Sequence, residues 1–180
     1  MEHARREQPE PSATLRDARR GDEMAVARVH VRSWQEGYRE IMPAEFLAAL
    51  DPGERARRYE FEGGEGAPTT VVAIAASGDV VGFVTFGPSR DEDAVGAGEV
   101  YSLYVDPDSH RGGVGRLLMT EARRRLAAAG FEVAVLWVLR GNARGIAFYE
   151  REGWRSDGAT RVEQPYGIVS NVRRFRRALG

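Results

Sequence analysis

The stretch Gly98–Leu118, GEVYSLYVDPDSHRGGVGRLL, decides how this chain is read. It runs from an apolar strand through a Pro/Asp turn into a glycine-rich loop that opens a helix. N–H groups at a helix start lack intrahelical partners and sit at the positive end of the helix dipole, so such a junction is a ready anion site. Glycines let the main chain approach a bulky ligand closely and adopt positive φ. The stretch therefore predicts a cradle for a pyrophosphate.

Two nucleotide readings fail on residues their chemistry requires. A P-loop needs Lys and Ser/Thr directly after its last glycine. Here Gly115 is followed by Arg116 and Leu117, and all 26 Lys/Arg positions of the chain are arginine. A dinucleotide fingerprint needs a third glycine three residues after the second, and that position is Leu118. What survives is a Gly-x-Gly loop after a strand, a pattern that by itself serves equally as a tight strand–helix turn.

Length and composition set the outer bounds. The chain has 180 residues, enough for one domain with a substantial core, and its 42% hydrophobic and 29% charged fractions are ordinary for a globular protein. A formal net charge of −1 supplies no bulk electrostatic footprint for nucleic acid or a membrane surface. Cysteine is absent, which excludes disulfides, thiolate metal sites and a cysteine nucleophile. The three histidines, His3, His30 and His110, have no metal-ligand spacing, so no metal is expected. No apolar leader or membrane-length segment is present, and a cytoplasmic location is the expectation.

A second segment changes the weight of the first. Asn142–Trp154, NARGIAFYEREGW, resembles the N-x-x-A-x-x-F-Y-E-x-x-G-F/W segment of the GNAT superfamily of N-acetyltransferases, and Gly113 and Gly115 resemble that family's acetyl-coenzyme A loop, Gln/Arg-x-x-Gly-x-Gly/Ala. His110 stands where the family prefers Gln or Arg, with Arg111 one place later. Gly145 stands where alanine is usual, at a helix cost of roughly 1 kcal/mol. The two motifs come in the family's order, separated by a helix and a strand. The resemblance spans about residues 14–178.

The periodicities agree with such a fold. Residues 1–12 are charged, proline-bearing and without apolar period, and are expected to be a disordered tail, with residues 13–180 as the domain. A strand is expected over Thr14–Asp17, then a helix capped by Asp22 and reaching Tyr38, with Val26, His30 and Trp34 on one face. Pro43 suits the first turn of a short helix, and Asp51-Pro52-Gly53-Glu54 signals another reaching Phe61. Thr70–Ala76 and Val80–Phe86 read as a hairpin through Ser77-Gly78-Asp79. Gly98–Val105 is the next strand. Gly113–Ala129 follows as a helix with Leu118, Ala122, Leu126 and Ala129 in one stripe, and Arg123 and Arg124 outward. Val133–Val138 is a buried strand, Asn142–Arg151 a helix, and Trp154–Ala178 one or two strands, the cluster Arg173, Arg174, Arg176 and Arg177 protecting an edge. The order fits a single-domain α/β fold. The resemblance implies a mixed, mostly antiparallel central sheet flanked by helices, with central strands splayed into an acyl-CoA cleft.

It also implies where the chemistry lies. The pantetheine arm of acetyl-CoA would pair with Leu103, Tyr104 and Val105 as an added strand. The backbone of Arg111, Gly112, Gly113, Val114, Gly115 and Arg116 would take the pyrophosphate, and an N–H near Leu103 or Tyr104 would polarise the thioester oxygen. Tyr149 is the candidate general acid: a phenol near pKa ~10 is protonated at neutral pH and faces a thiolate near ~8.5. Glu99 is the candidate base or orienting group for the amine, placed by strand alternation on the face of Tyr101 and Leu103. Asn142 caps a helix and borders the pantetheine arm. Arg144 is read as a solvent-facing helix arginine. Trp34, Tyr38 and Tyr166 are candidate acceptor-pocket walls, and His30 is a packed helix histidine beside them. The expected activity is acetyl transfer from acetyl-CoA to a primary amine of a small molecule or peptide, without metal, nucleic acid or membrane, and with a homodimer as a family expectation. A non-catalytic acyl-CoA sensor and a toxin-like aminoacyl-tRNA acetyltransferase are the alternatives.

Overall fold

The computed structural model describes residues 13–64, 66–164 and 167–180, so the expected tail at 1–12 and Tyr166 lie outside the described residues. Chain order is β1 (Ala13–Asp17), α1 (Glu23–Gly37), α2 (Ala44–Ala48), α3 (Pro52–Ala56), β2 (Thr69–Ala75), β3 (Val80–Pro88), β4 (Gly98–Val105), α4 (Val114–Ala128), β5 (Val133–Leu139), α5 (Ala143–Arg151), β6 (Arg155–Glu163) and β7 (Ser170–Ala178). One seven-stranded sheet forms in the order β1-β2-β3-β4-β5-β7-β6. β4 and β5 are parallel, as a helical crossover requires, and the other neighbouring pairs are antiparallel.

Each face is closed by helices because each carries its own apolar set. Under α4 and α5 lie Val71, Val84, Phe86, Val100, Leu136 and Val138, packed against Leu118, Met119, Ala122 and Leu126 of α4, each of these four 2% exposed or less. The opposite face packs Val72 and Phe83 against Val26 and Val29 of α1. Val72 and Phe83 alternate with Val71 and Val84, the two-residue period of a sheet buried on both sides. Trp34, Met42 and Leu47 extend that layer beneath α2. Ala129, expected in the apolar stripe, is exposed, because α4 ends one residue before it.

Several local expectations are corrected. Asp22 occupies the N-cap position of α1 but makes no capping bond. Its carboxylate instead accepts from the Arg16 guanidinium at 2.6 and 2.9 Å and from the Arg19 N–H at 2.9 Å. Asp51 does cap α3, accepting from the Glu54 N–H at 2.7 Å, yet that helix stops at Ala56 rather than Phe61. The arginine-rich segment is not an edge. β7 lies between β5 and β6, and Arg174 is 6% exposed. A cation there needs counter-charges, and Asp91, Asp93 and Asp157 supply them at 3.2, 2.6 and 2.7 Å.

Candidate active site

The cleft follows from where the β4–β5 ladder stops. Gly98, Glu99 and Val100 pair with Ala134, Val135 and Leu136, and among the described residues the ladder goes no further. Beyond it the strands diverge around a cavity of about 670 Å³, lined by Tyr101–Val105 on one side and Trp137–Leu139 on the other. The divergence coincides with a bulge in β4: Thr85 pairs with Ser102 and Phe86 with Val100, leaving Tyr101 as the extra residue. Gly87, paired with Glu99, leaves room for its ring, since a Cβ there would stand 2.8 Å from the Tyr101 hydroxyl. That hydroxyl donates to the Pro88 carbonyl.

The bulge overturns one expectation about Glu99. Val100 belongs to the core under α4, and Leu103, three residues on, packs against the same core. Glu99 therefore faces the opposite side of the sheet from Leu103, where strict alternation would have put them together. It is 1% exposed, and its carboxylate accepts from the Arg90 guanidinium at 2.6 Å and the Arg90 backbone N–H at 2.9 Å.

Beyond the bulge, backbone direction is fixed by the pairing with β3. The Asp106 N–H donates to the Val81 carbonyl at 2.8 Å. The two-residue period then turns the peptide groups of Tyr104 towards β3 and those of Leu103 and Val105 towards the cleft. The Val105 carbonyl is taken up by the Ser33 hydroxyl at 2.9 Å and meets His110 Nε2 at 3.0 Å. Leu103 is thus the residue whose main chain is open to the cleft. Tyr104 contributes its ring, which lies 4.6 Å from the His30 ring at a tilt of 39° and lines the cavity.

The glycine loop has the geometry its sequence requires. Arg111 and Gly113 have φ of 68° and 78°, and Gly113 is the N-cap of α4 without a side-chain cap. The first intrahelical bond there runs from the Leu117 N–H to the Gly113 carbonyl at 3.0 Å, so the N–H groups of Val114, Gly115 and Arg116 precede it. A non-glycine residue held at positive φ marks a loop constrained by its surroundings. At Gly115 a Cβ would meet Val105 and Phe148 at 3.6–3.7 Å, ordinary contact, which puts the loop directly against the strand and α5. His110, bound to Val105, does not reach outward from the loop as a Gln or Arg would. These features suit a cofactor carrying a pyrophosphate.

Asn142 caps α5, accepting from the Gly145 N–H at 2.9 Å. A Cβ at residue 145 would stand 2.5 Å from the Asn142 amide nitrogen, so glycine lets this side chain fold over the helix start. Asn142 and Arg144 both line the cavity, Arg144 on the exposed side. Tyr149 lines it from α5 and packs against the α4-side core. Burial and the neighbouring Tyr104 hold its phenol above the ordinary tyrosine value. Trp34 and Tyr38 line the same cavity from α1, their rings 5.0 Å apart and edge-on. Burial, with Tyr104 and Tyr149 beside it, also raises the Tyr38 phenol. His30 is not a cavity wall: it is 4% exposed, with Nδ1 2.7 Å from the Tyr59 hydroxyl.

Further lining residues escaped the sequence reading, among them Ser33, Arg90, Trp137, Arg161 and Glu163. Trp137 had a weak signal, a lone indole in an otherwise aliphatic strand, VAVLWVL. Its N–H donates to Asp91 at 2.8 Å, and the Arg161 guanidinium lies 4.0 Å from its ring centre. Among the described residues there is no cluster of potential metal ligands, and no helix is long and apolar enough to cross a membrane.

Comparison with known proteins agrees with this architecture. Residues 29–154 match the model of the acetyltransferase (GNAT) family. An uncharacterised N-acetyltransferase of Bacillus subtilis is 34% identical over 137 residues, 76% of this chain and 77% of that protein. An L-methionine sulfoximine/L-methionine sulfone acetyltransferase of Pseudomonas aeruginosa is 29% identical over 119 residues, 66% of this chain and 69% of its own length. Among solved structures, a GNAT superfamily phosphinothricin acetyltransferase from Sinorhizobium meliloti, in complex with acetyl-CoA, superposes with a TM-score of 0.70 at 26% identity, covering 94% of this chain and 89% of that one. With a family match across most of its length and a relative of that identity and coverage, the chain belongs to the GNAT family of N-acetyltransferases.

Proposed function

We propose that residues 13–180 form an acetyl-CoA-dependent enzyme that transfers the acetyl group to the primary amine of a small molecule by direct attack, in the cytoplasm. The observation that carries this reading is the cleft that runs from the glycine loop past Tyr149 to the Arg90–Glu99 pair, created where β4 and β5 part. Acetyl-CoA bound there supplies an activated acyl group on a thiol leaving group. The N–H groups at the start of α4 receive its pyrophosphate, and the open main chain of Leu103 pairs with the pantetheine amide and polarises the thioester carbonyl.

The neutral amine nitrogen forms a bond to the carbonyl carbon, the C–S bond breaks with its electron pair going to sulfur, and the proton that nitrogen sheds passes through water to the departing thiolate or to bulk solvent. Tyr149 donates a hydrogen bond to that sulfur. Its raised phenol keeps its proton throughout the neutral range. Full transfer to a thiolate near ~8.5 is uphill, so the hydrogen bond, rather than complete protonation, is its main contribution. Glu99, held by Arg90, is not free to swing to the nucleophile. Its reach to the amine is through water, around the Arg90 guanidinium that covers it. Trp34 and Tyr38 form the wall beside the thioester. The relatives named for small-molecule acceptors support that choice of acceptor class.

Calorimetric titration with acetyl-CoA, with ATP and NAD as controls, tests the reading, followed by thiol release in the presence of amines. Selective acetyl-CoA binding and amine-dependent thiol release are expected. Preference for ATP or NAD, or no release with any amine, overturns it.

A further inference from the structure

The end of the cleft beyond the β4 bulge is charged, and the charges are arranged asymmetrically. Four side chains line it: Arg90 from the segment after β3, Glu99 from β4, and Arg161 and Glu163 from β6. Arg161 and Glu163 are exposed alike, 38% and 36%, and bind each other, with Arg161 also held by buried Asp91 at 2.6 Å. That pair largely neutralises itself, and Glu163 also acts on Arg90 through space. Arg90 and Glu99 differ: the Arg90 side chain is 62% exposed while its carboxylate partner is 2% exposed. The anion stands behind the cation, and what the cleft meets is the guanidinium.

Arg90 is also held in place. Its guanidinium lies 4.1 Å from the Tyr101 ring centre, and its Nε and Nη2 edge faces Glu99 at 3.5 and 2.6 Å, which leaves Nη1. A planar guanidinium fixed on an aromatic face with one edge committed is preorganised to offer its remaining donors to a second carboxylate. Tyr101 is two residues from Leu103, about 7 Å along a strand. Arg90, Tyr101 and Leu103 line one cavity, so a group bound at Arg90 shares that space with an amine attacking a carbonyl held at Leu103.

We propose that the acceptor is a compact amino acid, an amine carrying a carboxylate a few bonds away, and that Arg90 selects it by receiving that carboxylate. This rests on the acetyltransferase reading above. A polyamine would bring its second ammonium against the exposed guanidinium, and a peptide amino terminus would offer an amide there.

The test uses the intact protein with acetyl-CoA. The twenty common L-amino acids, their carboxamides, spermidine and benzylamine are compared by thiol release, with products identified by mass spectrometry. At least one amino acid is expected to be acetylated, with kcat/KM about 10- to 100-fold above its carboxamide, the range for losing one charge-assisted hydrogen bond. Arg90→Gln should remove that gap while leaving acetyl-CoA affinity unchanged, and Arg90→Lys should restore part of it. Equal or faster turnover of the carboxamides or spermidine, or refusal of every amino acid, overturns the proposal. If benzylamine is acetylated while the amino acids are not, only the acceptor class fails. If nothing is acetylated, the transferase reading fails with it. The wild-type comparison needs no variant, so a poorly folding Arg90 substitution does not decide the matter.

Discussion

The two ends of the cleft are built from different materials. At the glycine loop the surface offered to a ligand is main chain: N–H groups at the start of α4, a glycine N-cap at φ 78°, and the open peptide of Leu103. At the Arg90 end it is side chain, fixed by a chain of ion pairs running from Glu99 through Arg90 and from Glu163 through Arg161 and Asp91 to Arg174. Main chain follows from the fold and accepts any residues that permit the turn. A side-chain wall must be assembled from elements far apart in sequence, and each member can be exchanged without disturbing the sheet. One end can therefore stay constant while the other changes its ligand.

The sharpest way to break this contrast is to charge the loop without unfolding it. A Cβ at residue 115 meets only ordinary contacts, and a carboxylate near a helix start favours the helix. Gly115→Glu should thus keep its melting temperature. A unit charge about 4 Å from a phosphate costs about 4 kcal/mol at an effective dielectric of about 20. Acetyl-CoA affinity should fall on the order of 1,000-fold by calorimetry. Unchanged affinity would mean the loop does not hold the phosphates.

The converse experiment strikes the side-chain wall. Asp91→Asn removes the charge that meets Arg161 at 2.6 Å and Arg174 at 3.2 Å, and loosens the anchor of Trp137. Breaking a buried pair by removing one partner costs about 3–5 kcal/mol, though the retained amide and the other aspartates around Arg174 favour the lower figure. Denaturant unfolding should show a loss of about 3 kcal/mol, with acetyl-CoA affinity close to wild type. A matching loss of affinity would show that the two ends are one unit.

Tyr149 lies between the ends. Tyr149→Phe keeps the ring that packs against the core and removes the donor. We expect kcat to fall about 100-fold, at the low end for a positioned acid because the raised phenol is a poor proton source, with acetyl-CoA affinity retained. Unaltered kcat would dismiss it as a participant.

The same contrast explains what could be read in advance. The glycine loop and the segment from Asn142 to Trp154 are contiguous, so local spacing exposed them, and β4 was delimited residue for residue. The far end was hidden because no spacing links Arg90, Trp137, Arg161 and Glu163. The bulge at Tyr101 hid the facing of Glu99: one inserted residue inverts the alternation on which that inference depended. Arg174 looked like edge decoration because strand order is absent from local pattern. β7 enters the middle of the sheet and β6 takes the edge, leaving Arg174 to be buried among aspartates.

The smallest expected effect probes the layer beneath the cleft. His30 packs against Trp34 and Tyr104, both cavity-lining, at ring separations of 5.3 and 4.6 Å. Burial, and then the nearby Arg55, holds its imidazole well below the ordinary value, so it is neutral in the folded protein. In the unfolded chain it titrates near ~6.5. Below that pH the unfolded state binds the extra proton, so this contribution to stability is complete above about pH 6.5 and declines as pH falls towards the folded value. The slope cannot exceed about 1.4 kcal/mol per pH unit, which gives about 1–2 kcal/mol between pH 6.5 and 5. Carboxylates contribute little in that window, and His110, which burial and then Arg144 also hold below the ordinary value, leaves a residual slope, so His30→Gln should make the decline shallower in denaturant titrations. An equally steep decline in the variant would assign the pH sensitivity elsewhere. A markedly shallower decline in the variant would make the neutral imidazole the prop that sets Tyr104 between the main-chain end and the side-chain end.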